Sequence, residues 1–464
     1  MKIKFLGAAQ TVTGSKTQFE YRHQKYLVDC GLFQGPKEKR MLNWEQFYNA
    51  ESIKSILLTH AHLDHSGYIP KIVKEGFKGM IHASTGTYDL CKILLRDAGH
   101  LQEEDARFAN QTGYSHHKPA LPLYDEIDAI NSLNLFSTLP RDVWANLDQD
   151  LNFRFLRSGH IIGSSFVQLS FNVPNGVKLI TFSGDLGNSR SLILKPPVSL
   201  IESDYLVLES TYGNRKQPRT DTAADLAKVV NRVVDRKGVL LIPAFSVGRT
   251  QEIIYLLRKL QDANKIPKLP VYLDSPMANH ATDVFIDHPE DHLLQMKNGE
   301  LQEPIQCHNY IPVKSADESM LLCMQEGPMI VISAAGMLTG GRIMHHLKHR
   351  LSNPENAVLF VGYQAEGTKG RLLQEGIQDL RIHHQTVPVE AEICTIESLS
   401  AHADADDILD WLRAMQRLPE MIFVNHGEPA SAQALAKRIH EDLKVNVVVP
   451  KPDEEFHIGI DSYA

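Results

Sequence analysis

The stretch LLTHAHLDHSGYIP, residues 57–70, places His60, His62, Asp64 and His65 within six positions directly after an apolar run. A chain leaving a strand alternates its side chains, so His60 and His62 project to one side and can ligate one ion. Asp64 and His65 fall in the turn before the next helix, where the chain has rotated, and can address a second ion. A polar turn capped by Asp64 would explain a lone H-x-H. Four ligand-type groups in so short a span after a strand point instead to metal. Imidazole and carboxylate donors suit zinc, with manganese and iron left open. A fold that uses this motif must bring other strand ends to the same place.

The rest of the first two hundred residues offers such ends. KIKFLGAA, TQFEYRHQKYLVDC, SILLTHAH, FRFLRSGH, FVQLSFNVPNGVKLITFSGD and YLVLESTYG read as strands, with hairpins across RHQ and PNG. GYIPKIVKEG and the stretch beginning TGTYDLCKILLRDAGH have helical periodicity, and the Pro-rich segment from Ser115 to Asp150 reads as a short helix and loops. From about Asn214 helices alternate with apolar strands, as in TAADLAKVVNRVVDRK then VLLIPAF, which predicts a parallel α/β sheet.

Composition narrows the chemistry. The five cysteines (Cys30, Cys91, Cys307, Cys323, Cys394) are scattered, odd in number and never spaced C-x-x-C, which argues against both a disulfide framework and a Cys-type zinc knuckle. A net charge of −8 gives no overall attraction for a polyanion, so nucleic-acid binding would need a local basic groove or the metals themselves. No apolar run approaches the roughly 20 residues of a membrane span, and the N-terminus lacks a signal-peptide core, so the expectation is a cytoplasmic protein with no membrane partner.

Two more strand ends carry the complement of the opening motif: His160 in FRFLRSGH and Asp185 in LITFSGD. Each alone reads as an ordinary turn residue. Together with Asp29 at the end of YLVDCG and the block His60 to His65, in this order, the sequence resembles the metallo-β-lactamase superfamily. The resemblance implies an αββα sandwich in which His60, His62 and His160 hold one metal, Asp64 and His65 the other, and Asp185 bridges both. Asp29 would orient the ligands from behind.

The second half is similar to the β-CASP nucleases, which include the endonuclease subunit of the cleavage and polyadenylation machinery and its prokaryotic homologues. The resemblance rests on Glu209 in LVLESTYGNR, His402 in SLSAHADADD and His426 in FVNHGEP, with PAFSVGRTQE, SAAGMLTGGR and GYQAEGTKGR between them. It implies a lactamase domain in two parts, 1–212 and 397–464, around an inserted α/β β-CASP domain at 213–396. It also implies His426 as a further ligand of the second metal.

The activity implied by this resemblance is that of a metal-dependent RNA endonuclease in which a hydroxide bridging two zinc ions per chain attacks the phosphodiester, with RNA in the cleft between the two domains. Asp64, Asp185, Glu209 and His402 are the expected catalytic residues. His402, held by Glu209, would protonate the leaving oxygen. Ser400, Arg342 and Arg371 are candidates for contacts to the RNA backbone. By the same resemblance, a histidine at position 426, where the DNA-repair members of the family carry an aliphatic residue, favours RNA over DNA substrates. A glyoxalase-like thioesterase or lactonase would share the metal block but not Glu209, His402 or the insertion, and a non-catalytic scaffold of an RNA-processing complex would lack ligands that are present here. The oligomeric state stays open, a homodimer among the options. The remaining histidine groups, His116 and His117, His345, His346 and His349, and His383 and His384, read as solvated helix or loop residues.

Overall fold

A computed structural model describes residues 1–459 except 46–48, 114–117, 219, 298–299, 303, 363 and 365–366. His116 and His117, and three positions of GYQAEGTKGR, therefore lie outside the described residues. The chain divides into two units, Met1–Lys216 with His402–Ala464, and Gln217–Ala401.

The first unit contains two seven-stranded sheets. One runs in the order Glu455–His457, Lys2–Phe5, Thr17–Tyr21, Gln24–Val28, Ile53–Leu57, Met80–Ala83, Phe136–Thr138. The hairpin between its third and fourth strands turns at Arg22 and His23, both with positive φ, the geometry a two-residue turn demands. The other sheet runs Asn446–Val448, Met421–Val424, Tyr205–Leu208, Gly176–Phe182, Ser165–Val173, Leu151–Arg157, Ala145–Asp148. The two sheets face each other across one apolar core, to which Ile3, Phe5, Phe19 and Leu57 come from the first and Phe153, Phe155, Val167, Leu169 and Phe182 from the second. The far face of the second sheet is covered by helices Ala405–Arg413 and Pro429–Leu443 through Ile408, Leu409, Leu412, Leu435 and Ile439.

The segment Ser115–Asp150 departs from expectation. Besides helix Glu126–Leu133 it contributes two strands, Phe136–Thr138 and Ala145–Asp148, at the ends of the two sheets. As short edge strands they bury no residue fully, so they lack the apolar alternation by which a strand is read from sequence.

The second unit is built on a parallel sheet of six strands, ordered Tyr310–Pro312, Val271–Asp274, Met329–Ser333, Val239–Pro243, Ala357–Phe360, Glu392–Thr395. Both faces are covered, which is why VLLIP is apolar throughout. Leu240 and Ile242 pack under helices Thr222–Asp235 and Arg249–Asp262, while Val239 and Leu241 pack under helix Ile343–Arg350.

That last helix corrects one reading. His346 is not solvated but fully buried, on the helix face that also buries Ile343, Leu347 and Arg350. Its Nε2 lies 2.7 Å from Asp274 Oδ2 and its Nδ1 3.4 Å from the Cys323 thiol. Asp274, itself fully buried, accepts from Ser319 Oγ at 2.6 Å and from Arg342 Nη1 at 2.8 Å. Burying a carboxylate requires such donors, and the strand-end aspartate has recruited the histidine inward. His345, His349, His383 and His384 are not buried in this way. Among the described residues no helix is long and apolar enough to cross a membrane.

Candidate metal centre

Strand Ile53–Leu57 delivers the chain to His60 and His62, and a helix of four residues, Leu63–Ser66, then carries Asp64 and His65. The expected turn is thus a single helical turn, which rotates these two side chains away from the first two histidines. His160 follows strand Leu151–Arg157, Asp185 follows Gly176–Phe182, Glu209 follows Tyr205–Leu208 and His426 follows Met421–Val424. The backbone turns tightly where these ends converge. A Cβ on Gly31 would lie 1.6 Å from the Asp64 carbonyl oxygen, so only glycine lets the segment after Asp29 pass Asp64 this closely.

Two ligand sets result. In the first, His60, His62, His160 and Asp185 present atoms that all lie within 4.8 Å of one another. His62 Nδ1 is 3.2 Å from both His60 Nε2 and His160 Nε2, and Asp185 Oδ2 is 3.4 Å from each of those two nitrogens. A tetrahedral ion with bonds of about 2.0 Å requires ligand separations of about 3.3 Å. In the second set, His65 Nε2 is 3.0 Å from His426 Nε2, and Asp64 Oδ2 is 3.6 Å from His426 Nε2. Asp185 Oδ1 lies beside this set, 3.2 Å from His65 Nε2 and 3.4 Å from His426 Nδ1, buried and without a hydrogen bond. The two oxygens of one carboxylate therefore address different sets.

The electrostatics suit cations. Burial, reinforced by the charge of neighbouring imidazoles, pushes His60, His62 and His160 down, His62 to about 3, so all three are neutral and their lone pairs available. Burial also opposes charge on Asp64, Asp185 and His65, but partners of opposite sign outweigh it: a hydrogen bond from His426 and the charge of His65 hold Asp64 below the usual carboxylate range, His65 and His426 do the same for Asp185, and Asp185 and Asp29 raise His65 well above its own. A cluster of buried carboxylates that raises an imidazole in this way calls for positive charge. Donor type, separation and the unbonded Asp185 oxygen together fit a metal site.

Supporting groups stand behind the ligands. Asp29 Oδ2 accepts from His65 Nδ1 at 2.7 Å, leaving Nε2 to face the site. His426, held at φ 49°, is anchored on both sides: its N–H donates to Ala8 O at 2.9 Å and its carbonyl accepts from Ser210 N at 3.1 Å. Ser210 Oγ adds a bond to Asn425 O at 2.9 Å. Glu209, fully buried, accepts from Leu186 N at 2.6 Å and lies 3.2 Å from His402 Nδ1. His402 Nδ1 is 4.0 Å from Asp185 Oδ2, and the ring keeps about a fifth of its surface exposed. Burial disfavours the imidazolium, but Glu209 and Asp185 outweigh it and raise His402 to about 9.

The three candidate RNA contacts lie outside the first unit. Ser400, Arg342 and Arg371 belong to the second unit. The Arg342 guanidinium is engaged by buried Asp274 and by Lys314 O at 3.3 Å, and Arg371 Nε pairs with Glu375 at 2.7 Å. Sequence reading missed Thr59, Ser210 and Thr211, whose hydroxyls touch ligand-bearing segments. The signal available was their position directly beside His60 and Glu209.

Facing sheets with histidines and aspartates gathered at their strand ends define a metallo-hydrolase. Family models agree along the chain: the metallo-beta-lactamase superfamily matches residues 20–244, the Beta-Casp domain 250–373, and the Zn-dependent metallo-hydrolase RNA specificity domain 386–450. Ribonuclease TTHA0252 of Thermus thermophilus is 35% identical over 94% of this chain and 95% of its own length. The transcription termination factor FttA of Methanocaldococcus jannaschii is 28% identical over 97% of this chain and 70% of its own, and an RNase J-like protein of the same organism is 28% identical over 97% of both. A crystal structure of a protein of unknown function from Enterococcus faecalis shares the fold, with a TM-score of 0.55 at 13% identity, covering 98% of this chain and 99% of that one. The chain belongs to the β-CASP family of the metallo-β-lactamase superfamily.

Proposed function

We propose that the protein is a zinc-dependent endonuclease that hydrolyses RNA phosphodiester bonds, the RNA lying in the cleft expected between the two domains. The observation that carries this reading is the juxtaposition of two ligand sets, with Asp185 in one and turned toward His65 and His426 of the other, and the Glu209–His402 pair beside them. The names of the relatives supply the substrate class.

When bound, two zinc ions supply a hydroxide nucleophile at neutral pH and positive charge for the phosphoryl oxygens. The chain's own residues do the rest. Asp29 holds His65 with its Nε2 toward the site, and Asp64 and Asp185 contribute the negative charge that retains two dications. His402 donates a proton to the departing oxygen, and Glu209 keeps that proton in place and fixes the ring. Ser400 and Arg371 are the proposed RNA-backbone contacts, whereas Arg342 serves Asp274 first.

The test is metal analysis of the purified protein and then labelled RNA and DNA of one sequence, each with and without chelator. Chelator-sensitive internal cleavage of RNA alone supports the reading. Thioester turnover with RNA left intact would sink it.

A further inference from the structure

We infer that Thr59 is the positioning residue that fixes the ligand face of His60, passing the hold of Asp29 on to that ring, so that one carboxylate orients an imidazole in each ligand set. The inference rests on the metal reading above. Thr59 is buried two residues past the strand Ile53–Leu57 that leads into the motif. Its backbone N–H donates to Asp29 Oδ1 at 2.8 Å and its hydroxyl to Asp29 Oδ2 at 3.0 Å. The same hydroxyl oxygen lies 3.1 Å from His60 Nδ1.

Counting protons gives the tautomer. A carboxylate only accepts, so the single hydroxyl proton of Thr59 goes to Asp29. Toward His60 the oxygen then offers lone pairs alone, and Nδ1 must carry the ring proton. Nε2 is left with its lone pair facing His62 Nδ1 at 3.2 Å and Asp185 Oδ2 at 3.4 Å. Asp29 Oδ2 receives His65 Nδ1 by the same logic, directly rather than through a hydroxyl. The hydroxyl is held in place by packing: a Cβ on Gly184 would lie 2.7 Å from the Thr59 side chain. Removing the hydroxyl leaves His60 Nδ1 without its acceptor and frees both tautomer and ring rotation.

The experiment is a zinc titration of the full-length metal-free protein against a chromophoric chelator. Wild type is expected to bind two equivalents. Thr59→Val, which keeps the shape, should bind one at wild-type affinity and the other about ten- to a hundred-fold more weakly. Thr59→Ser should keep both, because the hydroxyl is retained. Wild-type affinity at both sites in Thr59→Val, or a loss in Thr59→Ser as large as in Thr59→Val, overturns the inference. A wild-type protein that binds no zinc overturns the metal reading beneath it. If Thr59→Val does not fold, Thr59→Ala carries the same expectation in the same titration.

Discussion

Glu209 Oε1 and His402 Nδ1 lie 3.2 Å apart, with Glu209 sealed from solvent and His402 still reachable from it. A buried carboxylate behind a partly exposed imidazole is the arrangement that keeps a proton on the ring. His402→Ala should therefore lower RNA cleavage by about 10²–10⁴-fold while zinc content stays at the wild-type level. Cleavage at the wild-type rate would remove His402 from the acid role.

The same pair sets a pH dependence. His402 is raised from its ordinary value to about 9, against burial, by Glu209 and Asp185, so it stays protonated through neutral pH and loses its proton as pH rises through that value. Activity should decline on the alkaline side accordingly. Cations bound beside Asp185 repel the proton, so the decline in the zinc-loaded enzyme falls at or below pH 9. Glu209→Gln should shift it further down, and an alkaline limb that does not move would show that Glu209 plays no such part.

Gly31→Ala should damage the second ligand set. The added methyl would meet the Asp64 carbonyl at 1.6 Å and His65 N at 2.7 Å, backbone atoms that cannot turn aside. The expected result is zinc stoichiometry of one per chain or less, with a stability loss of about 1–3 kcal/mol from overpacking. Two equivalents in this variant would mean that the loop yields more readily than its packing implies.

Lys16 is buried, its ammonium bonded to Gly31 O and lying 4.6 Å from both the Phe33 and Tyr68 rings. Burial lowers it to about 8. Below that pH both folded and unfolded states are protonated and the full cost is present. Between about 8 and the ordinary 10.5 the folded state sheds its proton first, so stability should rise by about 3 kcal/mol across that interval. Lys16→Met should abolish this rise, as read from urea unfolding at a series of pH values.

Asp274→Ala should strand His346 and Arg342 in the second unit without their carboxylate. Losing one partner of a buried pair costs about 3–5 kcal/mol, enough to lower the melting temperature by several degrees. Calorimetry of the full chain checks this.

Local order along the chain makes much of the fold legible. Apolar runs mark the strands because both faces of the inner ones are buried, and the ligand residues stand out because each comes soon after such a run. Residue order alone sets the chemistry available at each strand end. Adjacency across the sheets lay beyond it: that Asp185 turns one oxygen toward His60 and His160 and the other toward His65 depends on strands far apart in the chain becoming neighbours. His346 defies its local pattern for the same reason. Its neighbours in sequence mark it as a surface residue, and Asp274, 72 residues away, draws it inward because a buried carboxylate must find donors. Thr59 is marked in the sequence only by standing beside His60, and a hydroxyl there means little until Asp29, 30 residues earlier, is packed behind it.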